Sequence, residues 1–346
     1  IHLASSSVAL RNLRDLPLAL DSVDFPRLRG SPLWKDVHAG RFRVLALEAI
    51  VPREYAAARC LQDALSLPGL KQLSLRGAEL PLTQRILGGP PVDGIEDLTP
   101  ILAATTLRSL YLGAGIWPYR RPLQPVTLPS LSRSALTSLS LDGAAITDLS
   151  GVAAAPALSE LELRNLLLPV DLAPLVCAGS RCPWVLRTLR IFSCRLQGLS
   201  HIRPSRHPPL PPHTSRCLVG LTPLGELRAL ELLDLSSCVR VHDLSPLARL
   251  GRLRILTLTH CEVQSLAPLV SCAALRDISL FGCEGVSDVT PLARCPALST
   301  VTFPGGGEIR FGPSPPPLPD VERVLRLMLV AESRGRRPAS TDPSLS

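Results

Sequence analysis

His260 stands directly beside Cys261 in LTLTHCEVQSLAPL, residues 256–269. An imidazole next to a thiol is the raw material of a cysteine nucleophile or a metal site. The chain holds 10 cysteines, at positions 60, 177, 182, 194, 217, 238, 261, 272, 283 and 295. Cys177 and Cys182 in CAGSRC, with His201, His207 and His213 downstream, are the residue types of a zinc site, but their spacing matches no ligand pattern. The GGG of PGGGE (304–308) signals a loop and lacks the Lys of a phosphate-binding loop. There is no nucleophile motif and no dinucleotide fingerprint, and the carboxylates are scattered. The sequence therefore reads as a non-enzyme, with no catalytic residues, no metal, no cofactor and no small-molecule substrate.

The register of the thiols decides what they are for. LRILTLTHC (253–261) recurs as LELLDLSSC (230–238) and LRDISLFGC (275–283). The first Leu falls at 230, 253, 275 and 298, in steps of 23, 22 and 23 residues. The phrase extends backward to Leu186, Leu158, Leu136, Leu107, Leu70 and, more weakly, Phe42, with a marginal further unit at Leu13. Cys194, Cys238, Cys261 and Cys283 all lie eight residues after their unit's first Leu. Cys272 and Cys295 lie three residues before the next one. A small thiol tolerates burial and has a weak donor, so these six read as inward packing positions. His260 should point the other way.

This pattern resembles the leucine-rich repeat family, with short internalin-like and SDS22-like units and Cys at the usual Asn position. The resemblance implies an α/β fold: a curved leucine-rich repeat solenoid with a parallel β-sheet on the concave face and short 3₁₀ or helical segments on the convex face. The physics agrees. In LxxLxL the second and third Leu alternate along a strand into a core that only stacked units can close. DLAPL, GLTPL, DLSPL, SLAPL and DVTPL follow the strands, where Ser or Thr could cap a short helix and Pro suits its first turn.

The expected organisation is an N-terminal cap over 1–40, the repeat domain over 41–306, and a tail over 307–346. After Phe303, GGGEIRFGPSPPPLP reads as a stiff, extended linker, and the tail goes on with a helix over 320–334, with Asp320 as N-cap, and a disordered end over 335–346. Irregular segments fall at 113–126 and 203–219. The second is either a degenerate repeat or an insertion of one repeat's length.

Two outward columns follow from the strand alternation. One reads Ala46, Ser74, Tyr111, Ser140, Glu162, Arg190, Asp234, Thr257, Ser279, Thr302; the other Glu48, Arg76, Gly113, Asp142, Arg164, Phe192, Ser236, Thr259, Phe281, Pro304. Exposed aromatics and Arg are the usual interface anchors. Tyr111, Arg164, Arg190, Phe192 and Phe281 are therefore candidate partner-binding residues, though they also serve simply to cover neighbouring strands. The insertion IWPYRR (116–121) adds Trp117, Tyr119, Arg120 and Arg121 in a chain only 3% aromatic. Arg43, Lys71, Arg108, Arg187, Arg254 and Arg276 each follow a first Leu and form a stripe along one edge, for salt bridges or for RNA or acidic protein.

The formal charge is +8, and all 37 cationic residues except Lys35 and Lys71 are Arg. This bias suits carboxylate or phosphate partners. The leading expectation is a protein-protein interaction scaffold or structural subunit of a larger complex, binding through the concave face and the 116–121 loop. The alternatives are an RNA-contacting subunit of a ribonucleoprotein particle, or an adaptor of a phosphatase or ubiquitin ligase. No apolar run reaches the roughly 18 to 20 residues of a membrane span. Thiols on packing positions point to a reducing intracellular compartment, cytoplasm first. Because the chain opens at Ile1 rather than Met, an organelle stays open.

Overall fold

The computed structural model describes residues 17–52, 55–78, 94–117, 125–166, 170–176, 186–192, 221–238 and 241–311, together with residues 321, 324 and 325. The chain forms two compact units, the first comprising residues 1–170 and 177–185 and the second 171–176 and 186–346. Each carries one ladder of strands in chain order.

In the first unit the strands are β1 (Pro17–Asp24), β2 (Arg43–Val51), β3 (Gln72–Gly77), β4 (Ser109–Leu112), β5 (Ser138–Asp142) and β6 (Glu160–Arg164), each parallel to the next. Parallel neighbours need a crossover, and here the early ones are helical. α1 (Phe25–Gly30) and α2 (Pro32–His38) join β1 to β2, and α3 (Ala57–Leu65) joins β2 to β3. Asp24 and Ser31 cap α1 and α2 by accepting from the backbone N–H of Arg27 and Trp34. The core is the repeated Leu pair: Leu73, Leu110, Leu139 and Leu161 align across the ladder, as do Leu75, Leu112, Leu141 and Leu163, all buried.

The second unit is leaner. β7 (Thr188–Phe192), β8 (Leu232–Asp234), β9 (Ile255–Thr257), β10 (Asp277–Ser279) and β11 (Thr300–Thr302) are parallel. The returns from β8, β9 and β10 are the 3₁₀ turns Ser245–Arg249, Ala267–Ser271 and Thr290–Arg294, each with Pro in its first two positions. In the DLxPL phrases the acceptor at the turn start is the Asp rather than the expected Ser or Thr, whereas in SLAPL Ser265 Oγ accepts from Ala267 N at 3.3 Å as expected. Asp243 Oδ1 accepts from Ser245 N at 2.8 Å and Asp288 Oδ1 from Thr290 N at 2.9 Å. Asp97, Asp148 and Asp171 do the same in their own repeats. A carboxylate two residues upstream reaches the free N–H; the neighbouring hydroxyl of Thr290 donates to it instead.

Three sequence expectations change. First, Leu47 and Ala49, not Leu45 and Leu47, hold the buried pair of β2, because Leu47 pairs with Leu73 and Ala49 with Leu75. Ala in a Leu position hid the true phase. The outward columns therefore begin at Glu48 and Ile50, which pair with Ser74 and Arg76, and not at Ala46 and Glu48. Second, the segment expected to cap the first repeat contributes the strand β1, with register shifts between Leu18 and Ala19 and between Leu20 and Val23 that broke its periodicity. Third, the glycine run after Phe303 is not linker. It turns the chain into β12 (Glu308–Arg310), antiparallel to β11, with Gly306 at φ 97° and Phe303 N donating to Gly307 O at 2.8 Å. This hairpin covers the last parallel edge. Beyond it, residues 321, 324 and 325 are helical, with Val321 and Leu325 buried and Val324 exposed. Asp320, most of the Pro-rich stretch, the rest of the expected 320–334 helix and the 203–219 segment lie outside the described residues.

Candidate protein-binding face

The thiols come first, because they decide whether the site is chemical. Cys238, Cys261 and Cys283 are buried, and each Sγ donates to a carbonyl of the preceding repeat: Ile191 O at 3.3 Å, Leu235 O at 3.1 Å and Leu258 O at 2.6 Å. Cys272 and Cys295 repeat the device on Leu247 O at 3.3 Å and Leu269 O at 3.4 Å. Leu235 O also accepts from Cys238 N, and Leu258 O from Cys261 N. One carbonyl thus closes its own turn and holds the next repeat through its second lone pair. Burial pushes the Cys272 and Cys295 thiols up to about 11. Burial, then the neighbouring Cys238 and Cys283, raises Cys261 further still. A reactive cysteine needs the opposite shift. Cys177, Cys182 and Cys194 lie outside the described residues, as do His201, His207 and His213.

His260 points away from this ladder, exposed. It occupies a left-handed turn position that recurs: Gly143, Asn165, Ser237, His260 and Gly282 have φ of 82°, 51°, 60°, 56° and 72°. The turn lets N–H groups cross to the next repeat, His260 N to Phe281 O at 2.7 Å and Ser237 N to Thr259 O at 2.6 Å. Gly143, Asn165 and Gly282 in this column are the sequence signal for the positive φ.

On the outer face of the first unit, the ladder aligns Glu48, Ser74, Tyr111, Ser140 and Glu162. The polar residues pair among themselves. Arg76 Nη2 meets Glu48 Oε1 at 3.0 Å. Arg164 bridges Glu162 Oε1 through Nε at 2.7 Å and Nη2 at 2.6 Å, while Ser140 Oγ donates to Glu162 Oε2 at 3.0 Å. Asn165 Nδ2 donates to Asp142 Oδ1 at 2.5 Å and the Tyr111 hydroxyl to Asp142 Oδ2 at 3.5 Å. Tyr111 lies across Gly113, where a Cβ would stand 2.9 Å from its Cε1. Burial, then Asp142, raises the Tyr111 phenol above its ordinary value. Tyr111 and Arg164 are therefore brought together by Asp142 and Glu162, two carboxylates of the same columns that composition alone did not single out.

Trp117 is not a loop-tip aromatic. It is 5% exposed, and its indole Nε1 donates to Asp142 O at 2.6 Å, so the ring docks beneath the face it was expected to extend. A buried indole needs an acceptor and Asp142 supplies one. Tyr119, Arg120 and Arg121 lie outside the described residues.

In the second unit the outer column runs Arg190, Asp234, Thr257, Ser279, Thr302. Arg190 and Phe192 are half-buried; Phe281 is 42% exposed. The His260 ring stands edge-on to Phe281 with centroids 5.2 Å apart. Asp234 Oδ1 accepts from Ser236 N and Oγ at 3.0 and 2.6 Å. The edge stripe is only partly paired: Arg187 and Arg254 flank Glu231 at 3.2 and 3.9 Å, and Arg108 donates to Ala135 O at 3.0 Å.

Buried Leu pairs on parallel strands, one strand per repeat with a short return, decide the architecture. Both units are leucine-rich repeat solenoids. No protein-family model matches the chain, and no curated protein matches it. Among solved structures, internalin C2 from Listeria monocytogenes is similar over 60% of this chain and 76% of its own, at 21% identity and a TM-score of 0.38. A second internalin of that bacterium aligns with 78% of this chain and 63% of its own, at 14% identity and a TM-score of 0.36. Among the described residues, no helix is long and apolar enough to cross a membrane, and no group of three or more His, Cys, Asp or Glu could hold a metal ion.

Proposed function

We propose that the protein is a non-catalytic protein-binding scaffold or structural subunit of a larger complex, engaging its partner through the outer faces of the strand ladders. One observation carries this reading. Phe281 is a large apolar side chain left 42% exposed on a face whose other residues, Phe192 and Pro304 apart, are small or polar, and the His260 ring stands edge-on to it. An aromatic held rigid at a surface loses little entropy on binding and makes a good anchor. Arg190 and the Thr257, Ser279 and Thr302 column of the same unit supply the surrounding polar contacts. The buried thiols favour a reducing intracellular compartment.

The Arg bias favours a second reading, an RNA-contacting subunit, whose binding would weaken steeply with salt. We rank it lower because carboxylates interleave with the arginines on the outer face, as at Glu48–Arg76 and Glu162–Arg164.

The test is affinity capture of the tagged full-length chain with mass spectrometry, beside Phe281→Ala/Arg190→Ala. A stable protein partner lost in the double variant is expected. A lone monomer that captures nothing, or a partner indifferent to the double variant, contradicts the reading.

A further inference from the structure

Across β9, β10 and β11 of the second unit the segments entering the strands are basic, whereas the one entering β8 carries Glu226 and Glu231 against Arg228. Residues that precede strands β9, β10 and β11 lie at the entry edge of the ladder, and those that follow strands β8, β9 and β10 at the exit edge. The exit segments carry the exposed carboxylates Asp243, Glu262, Glu284 and Asp288, and by sequence one Arg, Arg240, which lies outside the described residues. The entry segments 246–254, 268–277 and 291–300 carry Arg249, Arg252, Arg254, Arg276 and Arg294, all exposed, against one carboxylate, Asp277. Arg249 and Arg254 are partly occupied by Glu226 and Glu231 of the repeat before. Arg252, Arg276 and Arg294 make no ion pair among the described residues.

We infer that this basic entry edge docks an acidic peptide segment of a partner protein. The inference rests on the scaffold reading and names the partner's chemistry. Arg276 N donates to Arg254 O at 2.8 Å, so these two arginines ride on adjacent backbones. Neighbouring strands stand about 4.8 Å apart, and an extended peptide advances about 6.8 Å every two residues. The three strand ends span about 9.6 Å, so an extended strand of alternating Asp or Glu crossing them presents about two carboxylates to the edge, within reach of the long Arg side chains. Guanidinium forks match carboxylates in geometry, and local Glu226 and Glu231 already show that pairing. A polynucleotide fits less well. The three entry segments contain no aromatic residue on which a base could stack, and Asp277 and Glu231 interrupt a continuous phosphate track.

Fluorescence polarisation of a labelled oligo-glutamate peptide against the full chain tests this, with oligo-uridine of equal charge in parallel. Arg252→Glu/Arg276→Glu/Arg294→Glu is compared with Arg27→Glu/Arg59→Glu/Arg133→Glu, a set of exposed first-unit arginines that changes net charge equally. The expected result is preference for the peptide and roughly tenfold weaker binding in the edge variant, with less than about threefold loss in the control. Equal loss in both variants overturns the proposal in favour of unspecific charge, and preference for oligo-uridine overturns it in favour of RNA. If the reversed edge variant fails to fold by circular dichroism, Arg252→Gln/Arg276→Gln/Arg294→Gln is judged by whether it weakens the peptide while Arg27→Gln/Arg59→Gln/Arg133→Gln does not. A partner captured through Phe281 while the peptide ignores the edge removes only this inference. Failure of capture alone removes the face reading.

Discussion

In the first unit β1, β2 and β3 run 8, 9 and 6 residues and return through α-helices or longer connections; in the second, β8 to β11 run 3 residues each, and β8, β9 and β10 return through 3₁₀ turns of 5. Carbonyls just past β8 and β9, at Leu235 and Leu258, and within the 3₁₀ turns, at Leu247 and Leu269, each close their own turn and also accept a buried thiol in the second unit. The first unit's described thiol, Cys60, sits instead inside α3. The first unit spends its polar residues on the outer face, where Asp142 and Glu162 knit Tyr111, Asn165, Ser140 and Arg164. The same repeat can thus be locked from inside by thiols or from outside by carboxylates. Among the described residues, the second unit leaves an apolar ring, Phe281, 42% exposed on its face beside the His260 imidazole.

The largest expected effect separates the units at their tightest backbone approach. A Cβ on Gly151 would lie 2.5 Å from Leu128 O and collide with Pro129 O as well, whereas one on Gly225 would meet only Pro246 O, at 2.7 Å. Gly151→Ala should destabilise by about 2–3 kcal/mol, and Gly225→Ala by about 1 kcal/mol, in urea denaturation. Equal costs would mean that the return segments of the two units pack with the same slack.

A smaller effect should be common to both units. Hydrogen bonds from the hydroxyl and N–H of Ser150 hold Asp148 below its ordinary 3.8, and those from Ser245 hold Asp243 below its own. A depressed folded pKa means that each contribution is fully present above 3.8 and is lost as pH falls through the folded value. The denaturation midpoint should therefore be flat down to about pH 5 and fall below about pH 4. Asp148→Ala and Asp243→Ala should each lower the neutral-pH midpoint slightly and flatten that fall. A fall that is unchanged in both variants would assign the acid sensitivity elsewhere.

How much of this was legible depended on whether a residue's role was set by register or by tertiary partners. Cys238, Cys261 and Cys283 were readable because their column repeats at 22 and 23 residues and small thiols suit a buried turn. The outer columns from Ser74 onward followed from strand alternation alone. Register failed in β2, where Ala49 stands in a Leu position, and in β1, where two shifts interrupt the alternation. Trp117 was misjudged because nothing local announces that Asp142 O will accept its indole N–H. The GGGEIR hairpin was misjudged because glycine-rich sequence fits a linker and a tight turn equally well. The basic bias of the segments before β9, β10 and β11 is present in the sequence, but it acquires meaning only when parallel strands bring those segments side by side.

The central claim is that the adjacent His260 and Cys261 belong to different worlds, one to the surface and one to the core. Equilibrium urea denaturation of wild type, Cys261→Ser and His260→Ala measures this directly. Cys261→Ser places a shorter, more polar group where Sγ now reaches Leu235 O, and it should cost about 1–3 kcal/mol. His260→Ala removes an exposed ring and should stay within about 0.5 kcal/mol of wild type. Equal stabilities for the two variants, or a larger loss at His260, would contradict the account.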